Sequence, residues 1–352
     1  MSPTPRQGLR DVPIYQPPQL DVPVRLATNE CPYRLPEGFS EDLAEVVKGI
    51  RFHRYPDREA TGLRQALADR HGVPVETVWV ANGSNEVIEQ LLLAYGGPGR
   101  TALLFEPTYA LHSRLAWGTF TETAVVRLEP PFSIGPSQLR RAIESDPDVI
   151  FVCSPNNPTG NTHAGDVVEE LATRTDALVV VDEAYVEFGG VSALPLVADL
   201  PNVVVVRTFS KAFALAAARI GYCFASPEVL DDVRRVRKPY HLSALAQAAG
   251  TVALYHAAEA MEILDAIRKE RDRLFEALSR IEGVVAFPSD ANFVLFRVPE
   301  GRRAPEVWQG LLDRGVLIRD FSSAVEGCLR VSAGTPSEVD AFLAAIEEVL
   351  AA

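Results

Sequence analysis

Residues 202–226 read NVVVVRTFSKAFALAAARIGYCFAS, two apolar runs separated by a segment that holds one lysine, Lys211. Four consecutive valines predict a β-strand that is buried on both faces, and IGYCFAS predicts another strand. Because lysine is rarely buried, Lys211 either lies on a surface helix rich in alanine or has a chemical role. Thr208, Ser210 and Arg219 place groups around it that can hold an anion, as the chemical role requires, and the rest of the chain decides between the two interpretations.

The same kind of apolar run recurs before this stretch, and helical patterns separate the runs. The runs are TVWVA (77–81), TALLFE (101–106), DVIFVCS (148–154) and ALVVVD (177–182). Runs that are apolar throughout are typical of a parallel sheet, and their alternation with helices indicates a doubly wound α/β domain. We place this large domain at residues 46–240.

The last third of the chain has a different pattern. A long helical stretch beginning LSALAQ leads to three predicted strands, ANFVLFRV, GVLIRDF and CLRVSAG, which indicate a smaller α+β domain at residues 241–352. The Pro-rich N-terminal segment, residues 1–45, is expected to be extended and to pack with this small domain. Thr335, Pro336 and Glu338 fit the N-cap, N1 and N3 positions of a capping box and predict the start of the final helix.

The composition excludes several classes of protein. A net charge of -13 over 352 residues argues against a nucleic-acid partner, whose phosphates require cationic side chains. The four cysteines are scattered without a CxxC pair, so neither a disulfide framework nor a metal site is predicted. No apolar run approaches the ~20 residues of a membrane span, and the N-terminus lacks the apolar core of a signal peptide. We expect a cytoplasmic protein with no membrane contact.

Short polar motifs follow the predicted strands, where open α/β sheets bind their ligands. NGSNE (82–86) predicts a phosphate site at a helix N-terminus, although a Ser-capped turn has the same pattern. EPTYALH (106–112) places Tyr109 either against an aromatic ligand or in ordinary packing. SPNNPTG (154–160) predicts a rigid turn whose polar side chains point outward to a site, although a purely structural turn fits the pattern equally well.

The run VVVDEAYVEF (179–188) ends in acidic residues that need a cationic partner if they are buried. The chain has no GxxxxGK[ST] motif, so these acids do not indicate a P-loop metal site. An acid, a tyrosine three residues later, and then a lysine with hydroxyls and an arginine are the groups that pyridoxal phosphate requires. Each motif is weak alone, but five in order at strand ends indicate this cofactor.

With these motifs in place, the sequence resembles the histidinol-phosphate aminotransferase family, which has the fold-type-I architecture of pyridoxal phosphate enzymes. The resemblance rests on TNECPY, RYPD, ANGSNEV, SPNNPTG, VVDEAYVEF, RTFSKAFALAAARIGY, PYHLSALAQ, SDANFVLF, GVLIRD and CLRVSAGTP. It runs from about Tyr15 to the C-terminus. RYPD, PYHLSALAQ and the pair Arg319 and Arg330 are the features most specific to the family.

The resemblance implies the residues that hold the cofactor. Lys211 forms an imine with it and then moves the proton between the substrate carbon and the cofactor, while Asp182 pairs with the pyridine nitrogen. The other implied contacts are Asn157 and Tyr185 at the 3′ oxygen, Tyr109 on the ring face, and Gly83, Ser84, Asn85, Thr208, Ser210 and Arg219 at the phosphate. The Asn157–Pro158 bond is predicted to be cis, so that the Asn157 amide faces the 3′ oxygen.

The resemblance also implies a substrate site and a homodimer. The residues assigned to the substrate are Tyr15, Asn29, Asn157, Arg319 and Arg330. The two arginines are expected to hold its anionic end. Tyr55, in RYPD, is expected to reach the cofactor phosphate of the neighbouring subunit. The sequence departs from the family at Cys31, where asparagine is usual, and at Ala216–Ala217, where Gly-Leu is usual.

The implied reaction is transamination of L-histidinol phosphate with 2-oxoglutarate, which gives imidazole-acetol phosphate and L-glutamate in histidine biosynthesis. An aromatic amino-acid aminotransferase acting on phenylalanine is the alternative on the same scaffold. A third possibility is a non-catalytic module that binds the cofactor, such as the sensor domain of a regulator. The sequence contains no DNA-binding segment that supports this interpretation. A nicotinamide enzyme lacks the GxGxxG turn and leaves Lys211 unexplained.

Overall fold

The computed structural model describes residues 3–4, 6, 8–12, 14, 16, 18–163 and 165–351. The helices in this part of the chain are α1 Glu37–Lys48, α2 Thr61–His71, α3 Ser84–Tyr95, α4 Leu111–Gly118, α5 Pro136–Glu144, α6 Gly165–Arg174, α7 Pro227–Val236, α8 Ala244–Tyr255, α9 Ala257–Arg280, α10 Ala304–Asp313 and α11 Pro336–Ala351. The strands are β1 Val24–Arg25, β2 Val78–Ala81, β3 Thr101–Glu106, β4 Glu122–Arg127, β5 Val149–Cys153, β6 Leu178–Asp182, β7 Val203–Thr208, β8 Gly221–Phe224, β9 Val285–Ala286, β10 Phe293–Arg297, β11 Val316–Leu317, β12 Arg319–Asp320 and β13 Cys328–Ser332.

The large sheet has seven strands in the order β2-β8-β7-β6-β5-β3-β4. All of its neighbours pair in parallel except β8, which is antiparallel to both β2 and β7. The segment between β7 and β8 contains only turns and one 3₁₀ turn, Ala216–Ala218. It therefore lacks the crossover helix that usually connects two parallel strands. The alternative of an alanine-rich surface helix around Lys211 is therefore wrong.

The valine run of β7 is buried on both faces, as its apolar pattern predicts. Val203 and Val205 pack into one apolar cluster, and Val204 and Val206 pack into a second cluster on the other face. All four side chains are fully buried. Helices cover both faces, and the predicted fold class, a doubly wound α/β sheet with a smaller α+β part, is confirmed.

The C-terminal part contains an antiparallel sheet in the order β12-β13-β10-β9, which is called the small sheet below. GVLIRDF, predicted as one strand, forms β11 and β12 on either side of the buried Ile318, because β11 pairs instead with the N-terminal strand β1. The long helical stretch is likewise two helices, α8 and α9, which meet at His256. The pairing of β1 with β11 ties the N-terminal segment to the C-terminal part, while the predicted domain boundaries stay predictions.

The capping box predicted for the final helix is present. Glu338 accepts hydrogen bonds from the Thr335 backbone N–H at 2.8 Å and from its hydroxyl at 2.9 Å, and the Glu338 N–H donates to Thr335 Oγ1 at 3.3 Å. These bonds satisfy N–H groups that the first turn of a helix leaves without partners. Within the described ranges, none of the helices combines the length and the apolar character that crossing a membrane requires.

Candidate active site

A cavity of about 230 Å³ lies where the carboxyl ends of the parallel strands face the small sheet. Its wall includes Asp182 at the end of β6, Thr208 at the end of β7, and Arg330 on β13. The residues predicted for the site that line this cavity are Asn29, Ser84, Asn85, Tyr109, Asn157, Asp182, Tyr185, Thr208, Ser210, Lys211, Arg219, Arg319 and Arg330. Motifs far apart in the chain are thus brought together at one edge of the sheet.

The wall of the cavity is strongly cationic. Lys211, Arg219, Arg319 and Arg330 line it, and Asp182 is the carboxylate among the described residues there. This charge is opposite in sign to that of the whole chain, which carries -13. Guanidinium groups bind phosphates and carboxylates through paired N–H donors, so the cavity suits ligands with more than one anionic group.

One anion site lies at the N-terminus of α3. Ser84 and Asn85 form the first turn of this helix, whose backbone N–H groups and dipole favour a negative charge. Arg219 Nη1 donates to Ser210 Oγ at 3.3 Å, and the Ser210 N–H donates to Thr208 Oγ1 at 3.1 Å. Hydroxyls, helix N–H groups and a guanidinium therefore converge on one place, as a phosphate requires.

Two glycines make this convergence possible. Gly83 has φ 87°, and a Cβ there would lie 2.7 Å from Arg219 Nη2. A Cβ on Gly221 would lie 2.0 Å from the Ser84 backbone nitrogen, so β8 approaches the start of α3 more closely than any side chain permits. Gly221 was not among the predicted site residues, although it is the glycine of the IGY sequence that follows Arg219.

Lys211 lies in this wall with its amine directed toward the N-terminal segment. Its Nζ donates to the Thr28 carbonyl oxygen at 2.9 Å and lies 5.9 Å from the centre of the Tyr185 ring. The pKa of Lys211 is lowered to about 8, mainly by burial and also by the nearby cations Arg330 and Arg219, against the opposing charge of Glu30. Roughly a tenth of the amine is therefore neutral at pH 7, far more than for an ordinary lysine, and a nucleophile or base requires this neutral form.

Tyr185 is the centre of a buried polar cluster. Its hydroxyl accepts hydrogen bonds from Asn29 Nδ2 at 3.0 Å and from Asn157 Nδ2 at 3.5 Å. Burial raises the pKa of Tyr185 to about 12, so its hydroxyl keeps its proton and remains able to donate to an oxygen in the cavity. The Asn157–Pro158 bond is cis, which confirms the prediction for this turn.

Arg319 and Arg330 lie directly opposite each other on β12 and β13, so adjacent strands present them side by side. Arg330 is 4% exposed, and its Nη1 and Nη2 donate to Asn157 Oδ1 at 2.5 Å and to the Ala27 carbonyl oxygen at 2.8 Å. Arg319 is half-buried. The two arginines form a second place in the same cavity for an anionic group.

The other predicted residues lie elsewhere. Tyr55 is 79% exposed, away from the cavity wall of its own chain, and its ring stacks on Tyr240 with the ring centres 4.4 Å apart. Gly83 adjoins the cavity at the start of α3 without lining it. Tyr15 lies outside the described residues.

Comparison with known proteins identifies the family. The family model of aminotransferase class I and II matches residues 22–346. The chain belongs to this family. It is 50% identical over 360 residues to the histidinol-phosphate aminotransferase of Streptomyces avermitilis, with 98% of this chain and 96% of that protein covered. It is 46% identical over 361 residues to the enzyme of the same name from Frankia casuarinae, with 98% and 90% covered.

A solved structure has the same fold. The histidinol-phosphate aminotransferase of Sinorhizobium meliloti, in complex with pyridoxal-5′-phosphate, superposes with a TM-score of 0.88 at 24% sequence identity. The match covers 97% of this chain and 96% of that chain. The fold-type-I assignment therefore rests on structure as well as on sequence.

In this aminotransferase chain, His112 is a site residue that the sequence analysis missed. Its Nε2 lies 3.0 Å from Asp182 Oδ2, and both side chains are almost completely buried. Its ring stacks on Phe151 and contacts Tyr109 edge-on, with centroid distances of 4.6 and 5.5 Å. The Ala184 N–H donates to the other Asp182 oxygen at 3.1 Å, so the carboxylate is fixed from two sides. His112 follows Tyr109 by one helical turn in EPTYALH, which was the available signal.

The two departures from the family pattern lie beside the cavity. Cys31 is half-buried and is not among the residues of the wall, and burial raises the pKa of its thiol. Ala216–Ala217 belong to the 3₁₀ turn before Arg219, whose Nη1 lies 3.4 Å from the Ala216 carbonyl oxygen. Both departures leave the cationic groups of the cavity in place.

Proposed function

We propose that this aminotransferase transfers the amino group of L-histidinol phosphate to 2-oxoglutarate, forming imidazole-acetol phosphate and L-glutamate in histidine biosynthesis. The observation that carries the proposal is a single cavity with two anion sites and a lysine of lowered pKa. The relatives at 46–50% identity, which bear the name of this activity, support it. These relatives do not favour the alternative function, an aromatic amino-acid aminotransferase.

Pyridoxal phosphate is the cofactor, and when bound it supplies an electron sink that stabilises negative charge on the substrate carbon. The residues present fit it. The α3 site, with Gly83 lacking a Cβ that would displace Arg219, suits its phosphate. Asp182, a nearly buried carboxylate held by His112, suits a protonated ring nitrogen. Asn157 and Tyr185 suit the 3′ oxygen.

Lys211 would hold the cofactor through its amine and would act as the base for the substrate. Because its pKa is about 8, the Nζ lone pair is available for attack and for taking the proton from the amine-bearing substrate carbon. In the protein without cofactor, a hydrogen bond from Nζ to the Thr28 carbonyl oxygen orients the amine. Tyr109, at the edge of His112, forms the apolar wall on which an aromatic ring rests.

The arginine pair explains how one site accepts both substrates. Histidinol phosphate carries a phosphate ester and no α-carboxylate, whereas glutamate and 2-oxoglutarate each carry two carboxylates. Arg319 and Arg330, side by side on adjacent strands, offer N–H pairs that match either group. Asn29, beside Tyr185, completes this end of the cavity.

Replacement of Arg319 by alanine tests this proposal. We expect kcat/KM for histidinol phosphate to fall about 30-fold, or about 2 kcal/mol, which is the lower end for loss of a charge pair because Arg319 is only half-buried. Phenylalanine has no phosphate, so its kcat/KM should fall much less. Steady-state kinetics with each donor and 2-oxoglutarate give both values.

The control for this change is Arg303→Ala, which removes an exposed arginine of the same C-terminal part. Its kinetics should match those of the unmodified enzyme with both donors. Equal losses for the two donors in Arg319→Ala would contradict recognition of the phosphate by Arg319. A wild-type enzyme that prefers phenylalanine would contradict the proposed substrate itself.

The enzyme is further proposed to act in the cytoplasm as a homodimer in which Tyr55 completes the partner's site. Tyr55 and Tyr240 expose a pair of stacked rings, and Phe52 nearby in sequence is 67% exposed. Exposed aromatic side chains of this kind are enriched at interfaces between proteins. A tyrosine hydroxyl from one subunit can then donate to the phosphate at α3 of the other.

Mixing two inactive variants tests this arrangement. If Tyr55 acts across the interface, a heterodimer of Tyr55→Phe and Lys211→Ala subunits has one site with both residues intact. Co-expression with two affinity tags should therefore yield heterodimers that recover activity in one of their two sites. Heterodimers without activity, or a fully active monomer in sedimentation, would refute the shared site.

A further inference from the structure

The guanidinium of Arg330 contacts two phenylalanine rings. Its Cζ lies over the ring of Phe293 and over the ring of Phe321, 4.9 Å from each centroid. Phe293 is completely buried, whereas Phe321 is half-buried and lines the cavity. Neither ring was singled out in the sequence, and Phe321 is the one that a ligand in the cavity can meet.

The register of the small sheet explains why both rings reach Arg330. Phe321 comes two residues after Arg319, the direct partner of Arg330, so it shares their face of the sheet. Its N–H donates to the Cys328 carbonyl oxygen at 3.1 Å, which continues the pairing of β12 with β13. Phe293 lies on β10, on the other side of β13, two residues before Leu295, which also pairs with Arg330. One ring therefore comes from each neighbouring strand.

A guanidinium is planar, and its N–H groups all lie in its plane. A ring that covers a face of the group blocks rotation about the side chain and excludes water from that face without using any N–H donor. Asn157 and the Ala27 carbonyl oxygen, meanwhile, fix N–H groups at the edge. The two rings thus restrict where the Arg330 guanidinium can lie, and the hydrogen bonds fix the direction of its donors.

We propose that Phe321 is a positioning residue that holds the Arg330 guanidinium in the plane that receives the anionic group of each substrate. Phe321 acts through Arg330 and takes no part in the chemistry. This inference rests on the proposed function, because it assigns the anionic end of the substrate to Arg330. It predicts that the aromatic ring at position 321 controls affinity for anions, while the rate of the bound complex depends on Lys211.

The test compares Phe321→Leu with Phe321→Tyr in the enzyme loaded with its cofactor. Loss of the ring should raise KM for histidinol phosphate and for 2-oxoglutarate roughly fivefold to tenfold, the range of a partly desolvated cation–π contact, with kcat changed less than about twofold. The tyrosine variant keeps the ring and should restore KM to within about twofold. Phe287→Leu is the matched control, because Phe287 contacts Arg297, at 5.9 Å, outside the cavity wall.

Binding of glutarate, a dicarboxylate that cannot react, supplies a readout independent of turnover. Calorimetric titration should show Kd raised by the same factor in Phe321→Leu and not in Phe321→Tyr or Phe287→Leu. Phe321→Met replaces the leucine variant if the latter unfolds. An unchanged Kd and KM, or a fall in kcat alone, would overturn the positioning role. Failure of the wild-type enzyme to use histidinol phosphate would instead refute the proposed function, while the glutarate titration still decides the role of Phe321.

Discussion

Lys211→Ala is expected to lower turnover by at least ~10²–10⁴-fold, the range for loss of a general base, and to abolish covalent attachment of the cofactor. The reason is that Lys211 is the lysine of the cavity wall, and its pKa is lowered to about 8, which makes the neutral amine accessible near neutral pH. The phosphate site at α3 remains intact in this variant. The variant should therefore still bind pyridoxal phosphate, by dialysis or calorimetry, without the visible absorbance of the attached cofactor.

The pH dependence of attachment follows from the same side chain. A lysine amine attacks only when it is neutral, and the pKa of Lys211 is lowered from 10.5 to about 8. The rate at which the cofactor-free protein attaches pyridoxal phosphate should thus rise as the pH increases through about 8 and level off above it. Stopped-flow absorbance measures this rate, and a plateau reached only near pH 10 or above would contradict the lowered pKa.

Chemical trapping identifies the attached lysine directly. Borohydride reduction and peptide mapping should place the label on Lys211. Lys238→Ala is the control, because Lys238 is exposed and away from the cavity wall, and this variant should keep the absorbance and the activity. A label on Lys238 or Lys48 would show that the assignment of Lys211 is wrong.

Arg330→Lys is expected to lower kcat/KM for both substrates by a factor of roughly 30 to several thousand. This corresponds to a loss of about 2–5 kcal/mol in transition-state stabilisation. The charge is kept, but an ammonium cannot donate at once to Asn157, to the Ala27 carbonyl oxygen and to a substrate anion in one plane. Because Arg330 is 4% exposed, water cannot replace the lost donors. Single-turnover kinetics of each half-reaction measure the two losses separately.

The control is Arg297→Lys, which changes an arginine on the same small sheet that contacts Phe287 instead of the cavity. It should leave both half-reactions within about twofold of the unmodified enzyme. If Arg330→Lys impaired only the half-reaction with histidinol phosphate, the two substrates would not share this arginine. The cavity would then need a separate site for the carboxylates of glutamate.

Much of this protein was predictable because its signals are local. A run such as VVVV before Arg207 predicts a buried strand from its own residues, and each motif that follows a strand is carried to the same edge of a parallel sheet. The capping box at Thr335 and Glu338 likewise depends on residues three positions apart. The order of these motifs indicated the cofactor, and the resemblance to the aminotransferase family added the role expected of each residue, including Lys211.

By itself, then, the sequence determined the α/β class, the cavity's position at the strand ends, and the lysine, acid and arginines gathered there, because hydrophobic pattern and motif order are properties of the chain alone. Only the tertiary structure decided that β8 runs antiparallel, that GVLIRDF divides between two sheets, that His112 meets Asp182, and that Phe321 covers Arg330. Each of these depends on contacts between segments distant in sequence. A strand's direction depends on whether its connection crosses the sheet, and a side chain's partner depends on the register of the neighbouring strand, which no local pattern specifies.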